Sequence, residues 1–293
     1  MIEPNNNPAT QMPQSQENPL EKYLRVPQIY ITLPSGGKYW NPSAIAMPVN
    51  GDVPVHSMSS YDELVLKSPD ALMNGQGVVD VIQSCIKSIK DAWEMPVTDL
   101  DTCLIAIRIA TYGESMEYSS ACPECKEFNE YEIDLKEFLS LPVDLSAYDN
   151  PMQYETLSVK LKPRTFKDQN AANIEIFEQQ RIVSLSQSDQ LDTETKQKRF
   201  SDIFKKITEL SLANVTGSIE SITVDNQIIN DKQVIKNFIE NADLKVYKAI
   251  EKFHKLSIKA VPDKTIHTEC PECKHKYSVP FTFDQSNFFA LAS

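Results

Sequence analysis

The sequence contains few glycines and lacks the motifs of common catalytic sites. Only seven of its 293 residues are glycine, and no phosphate loop, dinucleotide fingerprint, Gly-X-Ser-X-Gly or His-Glu-X-X-His motif occurs. Ser35-Gly36-Gly37-Lys38 lacks the spacing and the following helix of a phosphate loop, so we interpret it as a turn. We therefore predict that the protein is not an enzyme and has no small-molecule substrate.

Long apolar runs are also absent. No stretch approaches the roughly 20 apolar residues that cross a bilayer, which predicts that the chain has no membrane span. The first 25 residues show no basic segment followed by an apolar one, as a secretion signal would. From this pattern we expect a soluble protein in an intracellular, reducing compartment.

Positive charge is in short supply. The chain has 29 Lys and Arg against 41 Asp and Glu, a net charge of −12. A broad nucleic-acid surface needs clustered cations, so the balance argues against nucleic acid as a partner. The short basic clusters Lys196–Arg199 and Lys205-Lys206 are most simply solvated helix faces.

Four of the six cysteines form two copies of one motif. Cys122-Pro123-Glu124-Cys125 returns as Cys270-Pro271-Glu272-Cys273, and strand-like residues flank each copy. A Cys-X-X-Cys turn supplies half of a tetrahedral thiolate site, so two copies can complete one. We predict a structural Zn²⁺ bound by Cys122, Cys125, Cys270 and Cys273, in a zinc ribbon that is split by a long insertion. With four sulfur ligands the ion would have no open position for a substrate.

Other uses of these cysteines remain open. A redox Cys-X-X-Cys usually lies at a helix N-terminus, and neither copy precedes a helix start. Disulfides are favoured in exported proteins, and the N-terminus gives no sign of export. Two half-sites, each completed by another subunit, are also possible, and His267 or His275 beside the second copy could replace a thiolate. Cys85 and Cys103 lie in apolar helical patterns and are predicted to be buried thiols.

The patterning predicts an α+β fold: a helical core with short β-hairpins and the split zinc ribbon of four cysteines. Four segments are expected. These are a disordered arm at 1–19, a helical region with the first zinc knuckle at 20–140, an inserted α+β region at 141–262, and the second knuckle hairpin with an apolar tail at 263–293.

Several local features are predicted more sharply. Ser60 with Glu63 resembles a capping box, and a helix after Val78 is expected to continue to about Lys90. Thr98 or Asp99 is expected to cap the next helix, on which Arg108 would extend to the surface.

Four features elsewhere in the chain are also predicted. Asp225-Asn226 is expected to form a two-residue hairpin turn, and helices are expected to start at Asp231 and at Asp243. A short helix is expected after Pro69, a residue favoured at the first helical position.

The order of these motifs resembles the T4-type bacteriophage baseplate hub protein family. The resemblance begins at Leu33-Pro-Ser-Gly-Gly-Lys-Tyr-Trp40 and continues through Asp62-Glu63-Leu64 and the apolar helix at Val81–Ile89. Arg108-Ile-Ala-Thr-Tyr-Gly113 and Cys122-Pro-Glu-Cys125 come next in the same order. The resemblance covers about 33–140 well, whereas 157–256 follows only loosely.

The resemblance implies a structural or assembly component of a contractile-tail baseplate hub. Its partners would be other phage tail and baseplate proteins, and its location the host cytoplasm during assembly and then the virion. The arm, the Leu33–Trp40 turn and the apolar tail would then be the contact surfaces. A zinc-ribbon regulator that binds nucleic acid is the alternative, suggested by the paired knuckles.

Overall fold

The structure, a computed structural model, describes residues 20–68, 74–186, 193–259 and 264–281. The predicted arm at 1–19, the short helix expected after Pro69 and the apolar tail at 287–291 lie outside the described residues.

The described residues form a mixed α+β fold, as predicted. The helices are α1 (Ser60–Leu66), α2 (Gln76–Cys85), α3 (Val97–Tyr112), α4 (Leu135–Leu139), α5 (Ser146–Asp149), α6 (Phe166–Ser186), α7 (Thr193–Ser218), α8 (Lys232–Asn241) and α9 (Leu244–Ile258). The strands are β1 (Pro27–Ile31), β2 (Val53–His56), β3 (Ser115–Ala121), β4 (Phe128–Asp134), β5 (Met152–Tyr154), β6 (Leu157–Leu161), β7 (Ile219–Val224), β8 (Gln227–Ile229), β9 (Thr265–Glu269) and β10 (Lys276–Pro280). None of the helices in these ranges is long and apolar enough to cross a bilayer.

All of the strand pairing is antiparallel. Strands β1 and β2, β3 and β4, and β9 and β10 form three two-stranded sheets, and β5-β6-β7-β8 form a fourth sheet in that order. The turn between β7 and β8 is Asp225-Asn226, as predicted, and both residues have positive φ (48° and 62°). Positive φ at both positions is what a two-residue hairpin turn requires, and Asn and Asp tolerate it better than most side chains.

The described residues form two hydrophobic cores, and the first surrounds α3. Apolar side chains of β1, β2, α2 and α4 pack against this helix, and its middle residues Cys103–Ile107 are almost wholly buried. A helix that is apolar on most sides belongs inside a core, which explains why this segment has no solvated face over those residues. Cys85 and Cys103 are both buried here, as predicted.

The second core lies between the four-stranded sheet and helices α7, α8 and α9. Its fully buried members include Val159, Leu161, Ile219, Ile235 and Ile250. Asp231 and Asp243 cap α8 and α9 by accepting amide hydrogen bonds, in agreement with the sequence. Helices α6 and α7 pair as an antiparallel hairpin, with Lys206 Nζ 3.7 Å from a Glu175 carboxylate oxygen.

The two cores are joined where α3 begins. The amide of Val97 donates to the carbonyl of Arg164 (2.9 Å), and the amide of Phe166 donates to the carbonyl of Met95 (2.7 Å). The rings of Trp93 and Phe166 stack with centroids 5.4 Å apart. These contacts fix the start of α6 against the first core.

Asp99 is wholly buried in the first turn of α3, and its predicted role as a cap is wrong. Its carboxylate accepts hydrogen bonds from the Ser35 amide (2.8 Å), the Ser35 hydroxyl (2.5 Å) and Trp40 Nε1 (2.8 Å). Pro96 occupies the position before the helix. The Leu33–Trp40 turn, expected to be a contact surface, therefore uses Leu33, Ser35 and Trp40 to anchor itself inside the fold.

Three further local predictions need correction. The capping box is formed by Ser59 and Asp62, one residue earlier than expected, and its side-chain bonds fix that register. Helix α2 ends at Cys85 rather than near Lys90, because Ile89 leaves the helix to pair with Ile45 in an isolated bridge. Arg108 is only 3% exposed and lies over the ring of Tyr112 instead of reaching the surface.

We predict that Asp99→Asn destabilises the fold by about 2–4 kcal/mol in urea unfolding. An asparagine presents an NH₂ group where one carboxylate oxygen now accepts, so at least one buried donor loses its partner. Asp80→Asn is the matched control, because the exposed Asp80 accepts a single bond from Gln76 that an amide oxygen can also accept. Equal stability of the two variants would contradict the anchoring role of Asp99.

We also predict an acid-sensitive contribution from Asp62. Burial opposes ionisation, but hydrogen bonds from Ser59 and Ser84 and the charge of Arg25 leave the pKa of Asp62 below its ordinary value. The unfolded chain therefore binds this proton more readily, so the stabilisation is complete above a pH of about 4 and is lost as the pH falls further. The difference in unfolding free energy between the wild type and Asp62→Asn should shrink below that pH. A difference that stays constant from pH 7 to pH 3 would contradict this.

Candidate metal centre

The two Cys-Pro-Glu-Cys turns have the same backbone hydrogen bonds. In the first, the amide of Cys122 donates to the carbonyl of Glu127 (2.8 Å), and the amide of Lys126 donates to the carbonyl of Cys122 (3.0 Å). In the second, the amide of Cys270 donates to the carbonyl of His275 (2.9 Å), and the amide of Lys274 donates to the carbonyl of Cys270 (3.0 Å).

Each turn contains one residue in the left-handed region. The φ angles of Lys126 and Lys274 are 64° and 60°. Each turn closes an antiparallel hairpin, β3–β4 in the first case and β9–β10 in the second. The first cysteine of each motif is buried and the second is exposed, so the two turns present equivalent pairs of sulfurs.

The two hairpins bring all four predicted cysteines to one point. Their sulfur atoms lie within 4.8 Å of one another, and this is the one cluster of at least three metal-ligating groups among the residues that the structure describes. Across the hairpins, Cys122 and Cys273 are 3.7 Å apart and Cys125 and Cys270 are 3.6 Å apart.

These separations fit a tetrahedral metal ion. A tetrahedron with metal–sulfur bonds of about 2.3 Å has sulfur–sulfur edges of about 3.8 Å. A disulfide would need about 2.05 Å, so the geometry does not correspond to two disulfides. The residues therefore fit one tetrahedral thiolate site, whereas the separate half-sites considered from sequence would leave the pairs apart.

The second hairpin is attached to the first core at its base. The ammonium of Lys264 binds the carboxylate of Asp101 on α3, and Lys264 is 9% exposed. The amide of Phe281 donates to the carbonyl of Lys264 (2.7 Å), which closes the hairpin. The ring of Phe281 stacks on Phe138 (4.9 Å between centroids) and meets Tyr118 edge-on (5.7 Å). These contacts hold the second pair of cysteines beside the first.

Three side chains were not predicted to take part in the site: one that contacts a sulfur, and two tyrosines that extend its hydrogen bonds. Asn129 is buried, and its amide nitrogen lies 3.5 Å from Cys270 Sγ and 3.2 Å from the Tyr277 hydroxyl. The hydroxyls of Tyr131 and Tyr277 are hydrogen-bonded to each other. Asn129 and Tyr277 each follow the first cysteine of their motif by seven residues, and this shared spacing was the available signal in the sequence.

The charge on the cluster is unevenly shared. The amide of Cys273, supported by that of Glu272, lowers the pKa of the Cys270 thiol to about 6. The amide of Glu127 also lowers the pKa of Cys125, but desolvation and hydrogen bonds among the thiols raise it to about 12. Four neighbouring thiolates repel one another, so full ionisation of the cluster requires a bound cation.

Neither histidine proposed as a substitute ligand belongs to the cluster. His267 Nδ1 is 2.8 Å from the Ser278 hydroxyl, and the ring of His275 stacks on Tyr277. Cys85 is buried in the first core, where desolvation raises the pKa of its thiol to about 12. Burial likewise raises the pKa of Cys103. These two thiols are poor nucleophiles.

The chain matches a known protein family. The family model for the T4 bacteriophage base plate protein matches residues 26–290 and so includes both cysteine motifs. This range also extends beyond the 33–140 segment that carried most of the resemblance in the sequence. No curated protein and no solved structure matches the chain.

We predict that the purified chain binds one zinc ion. Because all four sulfurs would share that ion, Cys125→Ser and Cys273→Ser should each lower the free energy of unfolding by more than about 3 kcal/mol, and by similar amounts. Elemental analysis would give the stoichiometry and urea unfolding the stabilities.

Glu124→Gln is the matched control, since it changes an exposed side chain within the first motif and leaves the sulfurs in place. Zero or two zinc ions per chain, or one cysteine variant as stable as Glu124→Gln, would contradict the single shared site.

Proposed function

This chain belongs to the T4 bacteriophage base plate protein family, and from that premise we propose that it is a structural or assembly component of a contractile-tail baseplate hub. The observation that carries the proposal is the family match over 26–290, nearly the whole chain. In this proposal it acts by binding other tail proteins, in the host cytoplasm during assembly and then in the virion, and catalyses no reaction.

We propose that zinc is the metal of the four-cysteine cluster and that its role is structural. Cys122, Cys125, Cys270 and Cys273 would hold the ion. Four thiolates occupy every position of a tetrahedral zinc ion, so no position is left for water or substrate. When bound, the ion would supply a cross-link between hairpins β3–β4 and β9–β10.

Such a cross-link would organise the segment between the two hairpins. Strand β4 ends at Asp134 and the second hairpin begins at Lys264, so every buried residue of the second core lies between the two hairpins in sequence. The proposed division of the chain follows from this: a helical region to residue 140, an inserted α+β region at 141–262, and the second hairpin with its tail after it. The metal would then hold binding surfaces in a fixed relation to one another.

Exposed apolar side chains on the helical hairpin support a role in protein binding. Phe177 of α6 and Phe204 of α7 are 54% and 68% exposed, and Ile174 and Ile207 near them are also exposed. Large apolar side chains that remain in water on neighbouring helices are typical of contact surfaces. We propose the α6–α7 hairpin as one contact surface for other baseplate proteins.

Nucleic-acid binding remains the second candidate, because paired Cys-X-X-Cys hairpins are common in proteins of that kind. The charge of the first hairpin disfavours it. Strands β3 and β4 and their turn carry six carboxylates and a single lysine, Lys126. Phosphates would be repelled from that surface.

We predict that the chain copurifies with other baseplate proteins. Mass spectrometry of purified virions and of tail intermediates, from cells in which a tagged copy replaces the phage's own gene product, should detect it in at least one of the two. Its absence from both would contradict the baseplate role.

The same experiment can test the contact surface. Phe204→Ser should reduce the recovery of partner proteins, because it removes an exposed ring from the helical hairpin. Tyr61→Ser is the matched control, since Tyr61 on α1 is 73% exposed and lies on a different helix. Equal recovery with both variants would remove the α6–α7 hairpin as a contact surface and leave the baseplate role standing.

A further inference from the structure

A cavity of about 240 Å³ lies where the two hydrophobic cores meet. Side chains from six parts of the fold line it: the first turn of α3, helix α5, the segment after β6, and helices α6, α7 and α9. The lining residues whose polar side chains could bind a ligand here include Thr98, Lys162, Arg164, Asn173, Asn214 and His254.

The described residues that line this cavity include two cations and no carboxylate. That composition is unusual in a chain with 41 acidic and 29 basic residues. Lys162 and Arg164 supply the charge, and the amide groups of Asn173 and Asn214 add neutral donors. Two carboxylates lie outside the lining but near these groups. Burial lowers the pKa of Arg164 and of His254, and the charges of Asp168 and Glu251, respectively, partly oppose that shift.

Hydrogen bonds hold the backbone of both cationic residues in place. The amide of Lys162 donates to the carbonyl of Ser218 (2.8 Å), and the carbonyl of Arg164 accepts from Val97 (2.9 Å). One guanidinium nitrogen of Arg164 donates to the carbonyl of Asp168 (2.5 Å). A guanidinium has five N–H donors in a planar fork, so most of its donors are left for another acceptor.

Thr98 supplies an independent sign of a ligand. It is 3% exposed, and its hydroxyl has no hydrogen-bond partner within the described residues, although it lines the cavity. Buried hydroxyls are nearly always hydrogen-bonded, so an unpaired one needs an explanation. His254 is also buried here. Burial, and then the charge of Arg164, lowers the pKa of its ring, so at neutral pH the ring can donate one hydrogen bond and accept another.

We propose that this cavity binds an oxyanion, a phosphate or a carboxylate group, held by Arg164 and Lys162 and by the hydroxyl of Thr98. Its volume is below the roughly 300–1,000 Å³ typical of sites for drug-sized ligands, so a small anion or one acidic group of a chain fits better. A carboxylate or phosphate oxygen would accept from the guanidinium fork and from the Thr98 hydroxyl together. The proposal does not depend on the baseplate role.

The experiment is calorimetric titration of the full-length protein with two kinds of probe. The first is inorganic phosphate, with chloride at matched ionic strength as the control for screening. The second is N-acetyl-triglycine with a free terminal carboxylate, with its terminal amide as the control. Saturable binding of phosphate alone identifies a free anion as the ligand class, and saturable binding of the peptide acid but not its amide identifies a chain-borne carboxylate.

Two variants separate this site from a general charge effect. Arg164→Gln should weaken binding by roughly ten-fold or more, because a charge-assisted pair of hydrogen bonds is lost. Arg181→Gln is the matched control, because Arg181 lies on α6, the helix that follows Arg164, and its side chain is exposed; this variant should bind as the wild type does.

Thr98→Val provides a readout that a folding defect cannot imitate. Without the anion this variant should be at least as stable as the wild type, because the unpaired hydroxyl is gone, and yet it should bind the anion several-fold more weakly. The proposal is overturned if neither probe binds saturably, if Arg181→Gln weakens binding as much as Arg164→Gln, or if Thr98→Val binds the anion as well as the wild type.

Discussion

Four thiol groups from two distant turns lie within 4.8 Å of one another. They cannot all ionise unless a cation compensates their charge, and their spacing suits one tetrahedral ion. The sulfurs come from turns about 150 positions apart in sequence. A bond between those turns closes a very large loop, and restricting such a loop in the unfolded chain is worth several kcal/mol in principle.

Helix α3 connects the remaining features. Three side chains in its first two turns contact three different parts of the molecule. Asp99 anchors the Leu33–Trp40 turn, Asp101 binds Lys264 at the base of the second hairpin, and Thr98 lines the cavity between the cores. The backbone just before the helix pairs with residues around Arg164. The N-terminal end of one buried helix therefore links both cores and the cysteine cluster.

This architecture is consistent with the family to which the chain belongs. The cysteine cluster lies at the hairpin turns, where it brings two distant parts of the chain together. The apolar side chains that remain exposed belong in part to the α6–α7 hairpin, which packs on the core that the metal would hold in place. Apolar side chains exposed on two packed helices suit a protein that binds other components of a large assembly.

Much of this could be predicted from the sequence, because the controlling interactions are local or repeated. The duplicated Cys-Pro-Glu-Cys motif indicated that four cysteines would lie together, the Asp225-Asn226 turn indicated a hairpin, and Asp231 and Asp243 indicated helix starts. The turn and the helix starts depend on residues that are close in sequence, and the cysteine cluster depends on the repetition of a short motif. The order of motifs likewise indicated the baseplate family, which the family match confirms. The four-segment division and the zinc itself remain predictions.

Tertiary structure decided what depends on distant partners. Asp99 has the sequence context of a cap, but Ser35 and Trp40, about 60 positions away, make it a buried anchor. Ile89 continues the apolar period of α2, yet its pairing with Ile45 ends the helix at Cys85. Asn129 reaches Cys270 only because the second hairpin folds back onto the first. Local periodicity and capping rules cannot anticipate such contacts, because the deciding atoms belong to residues far away in the chain.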